Sequence, residues 1–130
     1  MSENLDLVCS IYAAIGRGDY SSADWAHPQI EYVVADGPDP GSVTGRDGLV
    51  HAMRSLFSAL ADIHAYAEEY REMDAERVLV LTRLSGRGKR SGVQIGDRGA
   101  ELFEIHDGKV TRIVAYFDRE HALADLGLTA

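Results

Sequence analysis

The chain has 130 residues, 45% of them hydrophobic and 26% charged, which suits one domain around one core and excludes the disordered and fibrous classes. Its 13 Lys plus Arg stand against 21 Asp plus Glu, and the formal charge of -8 opposes nucleic-acid phosphates and anionic membrane surfaces alike. The lone cysteine, Cys9, has no intrachain partner, the N-terminus lacks a basic leader, and no apolar run approaches the ~20 residues of a membrane span, so a soluble cytoplasmic protein is expected.

Leu5, Val8, Cys9, Tyr12 and Ile15 recur at the spacing of an amphipathic helix, which Gly16 and Gly18 stop; Cys9 in that stripe reads as a small buried hydrophobe. A short helical piece around Ser21 to Ala26 carries Trp25 and leads to His27-Pro28, where the proline favours extended backbone before it. Ile30, Tyr32 and Val34 then alternate with Glu31 and Val33 as a strand, and DGPDPGSVTG reads as a loop. Thr44 to Asp47 has the form of a capping box for a helix with Leu49, Val50, Met53, Leu56, Phe57 and Leu60 on one stripe. Extended segments follow at roughly 63–71, 78–86, 92–106 and 110–117, and DREHALADLGL closes the chain as a short helix stopped by Gly127. GRGKRSG, between two strands and without the phosphate-loop spacing, reads as a solvated connection.

Helices first and strands afterwards predict an α+β domain spanning residues 1–130, with the helices on one face of a curved antiparallel sheet. The uncovered face would then meet solvent or a second copy, so a homodimer through the sheet is expected.

The most informative stretch is AELFEIHDGKVTRIVAYFD, two alternating strands around Asp107-Gly108. A two-residue loop would align Glu101, Phe103 and Ile105 with Val110, Arg112, Val114 and Tyr116. A three-residue loop, His106-Asp107-Gly108, would align them with Thr111, Ile113, Ala115 and Phe117. The second register is preferred, because it gathers Glu104, His106, Arg112 and Asp118 on one face and leaves Glu101 alone among apolar neighbours. A carboxylate so placed either points into a cavity, where desolvation raises its pKa and prepares proton transfer, or sits where the sheet frays to solvent.

With the helix ending AAIGRGDY, the strand HPQIEYVV, the helix VTGRDGLVHAMRSLF, the GRGKRSGV stretch and the ending DGKVTRIVAYFDREHAL, nearly the whole chain resembles the SnoaL-like branch of the nuclear transport factor 2 and ketosteroid isomerase superfamily. That resemblance implies a cone-shaped sheet with helices over an apolar pocket, commonly dimeric, serving isomerases, polyketide cyclases, epoxide hydrolases and noncatalytic binders. It places the oxyanion-binding acid of the steroid isomerases at Glu101, two residues before Phe103. Their general-base aspartate falls near Val33, where there is no carboxylate and Asp36 is the nearest. Their helix-one tyrosine falls on Ile11, one position from Tyr12. The Arg-x-Asp pair of the limonene-type epoxide hydrolases meets Gly99-Ala100-Glu101 and lacks its arginine.

The catalytic candidates are therefore Glu101, with Asp36 and Asp118 behind it; Asp118 directly precedes a helix and reads first as its N-cap. Tyr12, Trp25, His27, Tyr32, Phe57, Phe103 and Phe117 are the candidate ligand contacts, with His27 at the pocket mouth or simply on the surface. The five histidines show no metal-ligand spacing, and neither a metal nor a cofactor is expected. Two functions remain: an acid/base isomerase or polyketide-cyclase-like enzyme acting on a small apolar or polycyclic molecule, or a noncatalytic binding or dimerisation module.

Overall fold

The computed structural model describes residues 3–16, 24–36, 40–58, 60–88 and 94–128. They form α1 (Glu3–Gly16), β1 (Ala26–Val34), β2 (Gly41–Thr44), α2 (Arg46–Ser58), β3 (Leu60–Glu72), β4 (Arg77–Gly88), β5 (Gln94–His106), β6 (Lys109–Tyr116) and α3 (Arg119–Asp125). The strands make one open sheet in the order β2-β1-β6-β5-β4-β3. The last four form an antiparallel meander, while β1 pairs with β6 in parallel, so the sheet is mixed and not wholly antiparallel as the sequence suggested. Alternation within each strand carries no information about the direction of its neighbour, and this pair joins segments far apart in the chain.

Two further expectations change. Gly41 to Thr44, read as loop, pairs with β1 as the edge strand β2, and Ala26, placed at the end of a short helix, opens β1. Half of that helical piece, residues 21–23, lies outside the described residues, and Asp24 and Trp25 form a turn. The first turn of α2 is also closed differently, since the carbonyl of Gly45 accepts from the Leu49 amide at 3.0 Å. The cap position is thus Gly45, with Thr44 still in the sheet.

Each face of the sheet carries helix, the outer one only in part, in contrast to the single helical layer expected. On the inner face Val8, Ile11 and Tyr12 of α1 and Leu49 of α2 pack with Ile30, Val78, Val80, Phe103, Ile105, Val110 and Ile113. On the outer face Ala122 and Leu123 of α3 pack with Leu79, Leu81, Ala100, Leu102, Val114 and Tyr116. This explains why Val78 to Leu81 is apolar without interruption: neither face of β4 meets water there. Asp118 caps α3 by accepting from the Glu120 amide, and the Gly127 and Leu128 amides return to Ala124 and Leu123 to close the other end.

The hairpin that carries Glu101 has the expected faces for an unexpected reason. Its loop has two residues, with Asp107 at φ 51° and Gly108 at φ 75° as a type I′ turn demands, and His106 opposite Lys109. The register then shifts, Ile105 pairing with Val110 but Glu104 with Arg112, so that Thr111 is the extra residue of a bulge. The bulge restores Glu101 opposite Ala115 and Phe103 opposite Ile113. Further along β5, a Cβ on Gly99 would lie 2.3 Å from the Tyr116 carbonyl oxygen, so only glycine permits the strands to approach as they do there.

Candidate functional site

Glu101 belongs to a cross-strand row on the inner face, Val34, Ala115, Glu101, Val80 and Tyr70, running from β1 to β3. The next row begins Tyr32, Ile113, Phe103, Val78. From α1 above them, Tyr12 donates its hydroxyl hydrogen bond to Oε1 of Glu101. The Tyr12 ring is fixed by edge contacts with Tyr70 and Phe103, at centroid distances of 6.1 and 5.9 Å. Glu101 nonetheless keeps part of its accessible surface, as does Tyr32.

The electrostatics follow from what is missing around this carboxyl. Burial pushes the Glu101 pKa up, and the Tyr12 hydrogen bond pulls it down without cancelling the rise. Burial and then the Glu101 charge hold the Tyr12 hydroxyl well above its ordinary value, and the same two causes raise Tyr32. Tyr70 is raised by burial and then by the nearby Cys9 thiol. Cys9 is half-buried, where the sequence suggested a buried hydrophobe. Among the described residues no three His, Cys, Asp or Glu side chains gather as metal ligands.

The other candidates are dispersed. Trp25 and Tyr32 pack against the inner core and Phe103 is part of it, whereas the side chain of Phe57, on α2, lies outside the described residues. Phe117 sits at the bend after β6, where its amide donates to Asp36 at 2.6 Å. His27 is exposed, and its Nδ1 accepts from the Gln29 amide. Asp36 also meets His121 of α3 at 2.7 Å. Burial tends to raise its pKa, but His121 and the amides of Phe117 and Asp118 outweigh that and lower it. Its recorded partners thus all lie at the junction of β6 and α3, and Asp118 caps that same helix.

Two inner-face residues escaped the sequence reading. Tyr70 shares its alternation parity with the exposed Tyr66, which argues for the outer face; the register shift between Ala67 and Glu69 reverses that parity. Ile11, where counting placed the helix-one tyrosine, is buried in the core, and it is Tyr12 that reaches the carboxyl.

The comparisons agree with this architecture. The family model described as a SnoaL-like domain matches residues 8–113. A nuclear transport factor 2-like protein from Burkholderia xenovorans is 30% identical, with a TM-score of 0.69 over 95% of this chain and 94% of that one. TerC, solved with polyporic acid, is 22% identical with a TM-score of 0.76 over 96% and 98% of the two chains. A protein with a ketosteroid isomerase-like fold from Catenulispora acidiphila is 16% identical with a TM-score of 0.71 over 95% and 93%. No curated protein matches the chain in sequence. None of the described helices is long and apolar enough to cross a membrane. With a domain match over most of its length, this chain belongs to the SnoaL-like family and has a nuclear transport factor 2-like fold.

Proposed function

We propose that the protein is a cofactor-independent acid/base enzyme of the isomerase or cyclase type, acting on a small, mainly apolar carbonyl compound with Glu101 as the proton-transfer group. The observation that carries this reading is the Tyr12–Glu101 pair set among apolar residues of the inner face. A carboxyl whose pKa is raised by burial is a stronger base when ionised and a ready donor when neutral, the pair of states that removal and return of one proton requires. In this mechanism the carboxylate takes a proton from the carbon next to the carbonyl, the electron pair moves onto the oxygen as an enolate, and the same carboxyl returns the proton to another carbon. Tyr12, donating to Oε1, fixes the rotamer and leaves Oε2 for the substrate.

Asp36 and Asp118 have no part in that step, since both hold the β6–α3 junction. The experiment is hydrogen–deuterium exchange at the α-carbons of 2-tetralone in D2O, followed by proton NMR. Wild type is expected to accelerate exchange, and Glu101→Gln to lose about 100-fold or more of that acceleration. Equal exchange by the two proteins contradicts the reading. A molecule held in the same place and recovered unaltered would instead support a noncatalytic binding module, the reading favoured by the absence of a second carboxyl beside Glu101 among the described residues.

A further inference from the structure

Two groups of different chemistry fasten α3 to the rest of the molecule. At the start of the helix Arg119 donates to the carbonyls of Gly99 and Thr82 and meets Glu68, and a guanidinium keeps its charge at any ordinary pH. Two residues on, His121 reaches the segment that follows β1. Its Nδ1 lies 2.7 Å from Oδ2 of Asp36, and its Nε2 lies 3.4 Å from Oδ2 of Asp125, one turn further along α3. The ring therefore stands between two carboxyl groups, edge-on to the Tyr116 ring at a centroid distance of 5.2 Å.

A neutral imidazole carries one hydrogen on two nitrogens, so only the imidazolium can offer a hydrogen to Asp36 and to Asp125 together. In the neutral form the hydrogen belongs on Nδ1, toward the nearer carboxylate. The Nε2 lone pair is then left against the Asp125 oxygen, which also accepts from the Tyr116 hydroxyl at 3.2 Å. The hydrogen bond to Asp36 raises the His121 pKa above 6.5 against the opposing effect of burial, and the charges of Asp125, Asp36 and Asp118 add to the rise. From β5, Ala100 and Leu102 pack with α3, and neither titrates. From β6, Tyr116 is raised by burial and then by Asp125, and stays a neutral donor; Arg112 opposes that rise while paired with Glu31 and Glu104. Asp36 has its own anchor, the Phe117 amide at 2.6 Å.

We propose that His121 is a proton-operated latch on the C-terminal half of α3: as imidazolium it ties Asp125 to Asp36, and on losing its proton it loosens that half of the helix from the sheet. Arg119 keeps the other end in place. The loosened half carries Leu123, Leu126 and Leu128, which pack on the outer cluster of Leu79, Leu102 and Val114, so opening bares apolar surface. Since the folded-state pKa of His121 is raised, the tie is full below 6.5, down to where Asp36 gains a proton beneath 3.8, and is lost as pH rises through the folded value. The latch asks nothing of Glu101 or of turnover.

The test is amide hydrogen exchange on the whole chain, measured by NMR at about pH 5.5 and about pH 8.5, with each rate divided by the intrinsic rate at that pH. The reporters are the amides of Leu126, Gly127 and Leu128, bonded to the carbonyls of Ala122, Ala124 and Leu123, and the reference is the Ala122 amide, bonded to Asp118 at the Arg119 end. In wild type the protection of the reporters relative to the reference is expected to fall about 2- to 5-fold at the higher pH, the range of a partly exposed ion pair. His121→Gln is expected to remove that fall, and so is Asp125→Asn, whose amide can donate to the neutral Nε2. The His121 ring protons should titrate above 6.5 in wild type and lower in Asp36→Asn. Equal relative protection at both pH values in wild type, a fall that either variant retains, or a wild-type midpoint at or below 6.5 would each overturn the proposal.

Discussion

The two faces of one sheet treat the same side-chain chemistry in opposite ways. On the outer face Arg112 reaches Glu31 at 2.9 Å and Glu104 at 3.1 Å, and Glu68 meets Arg83 and Arg119. The hydrogen bond from Arg119 lowers the Glu68 pKa, and the bond to Glu104 raises that of Arg112. On the inner face Glu101 meets no cation among the described residues and accepts from the Tyr12 hydroxyl, and there burial prevails and the pKa rises. A carboxyl supplied with guanidinium is a structural tie, whereas one given a neutral donor and partly withdrawn from water is held above the ordinary carboxylate range and prepared to exchange a proton. The difference lies in surroundings and not in residue type.

Removing the inner core should have the largest effect. Phe103, 2% exposed, is the largest fully buried side chain, and Phe103→Ala is expected to cost about 3–5 kcal/mol in urea denaturation. Next comes the close approach of β5 and β6 at Gly99. Gly99→Ala sets a methyl against the Tyr116 carbonyl and is expected to cost about 1–3 kcal/mol.

A smaller effect separates the faces by pH. The raised Glu101 pKa means that the folded state binds a proton the unfolded chain has released, so this contribution is full below about 4.5 and is lost as pH rises through the folded pKa. Glu101→Gln should therefore show a flatter stability profile over that window. Asp36 has the opposite sign, its contribution being present above about 3.8 and lost as pH falls through its lowered folded pKa. Asp36→Asn should accordingly be destabilised at neutral pH and converge on wild type in acid, as followed by thermal melts. The smallest effect belongs to the outer ion triad. With side chains 43%, 47% and 35% exposed for Arg112, Glu31 and Glu104, Arg112→Met is expected to change stability by less than about 1 kcal/mol, and the change should shrink further in 1 M salt.

How far these features were legible depends on whether local pattern or long-range pairing decides them. The alternation of Glu101, Phe103 and Ile105 correctly placed a carboxyl among apolar side chains, because period two is a property of the strand itself. The short C-terminal helix and its Asp118 cap were equally local. The turn and bulge were not distinguishable from a longer loop, since either adds one residue of register and produces the same face. Tyr70 was hidden by the irregularity before Glu69, which breaks the alternation by which strands are read. The parallel β1–β6 pairing and the outer position of α3 depend on contacts between distant segments, for which no local pattern exists. Tyr12 against Ile11 was a question of one residue in helical phase. Only the structure, by bringing Tyr12 to Glu101, decides it.

The central claim is that Glu101 is a partly buried carboxyl held by the Tyr12 hydroxyl and, among the described residues, by no charged partner. Its most direct test is the Glu101 pKa, read from the side-chain carboxyl carbon shift over a pH series in wild type and in Tyr12→Phe. A value above the ordinary 4.5 is expected in wild type and a further rise in the variant, because the Tyr12 hydrogen bond lowers it. A wild-type value at or below 4.5, or one that Tyr12→Phe leaves unmoved, would mean that Glu101 is hydrated and does not form the proton-transfer site assigned to it.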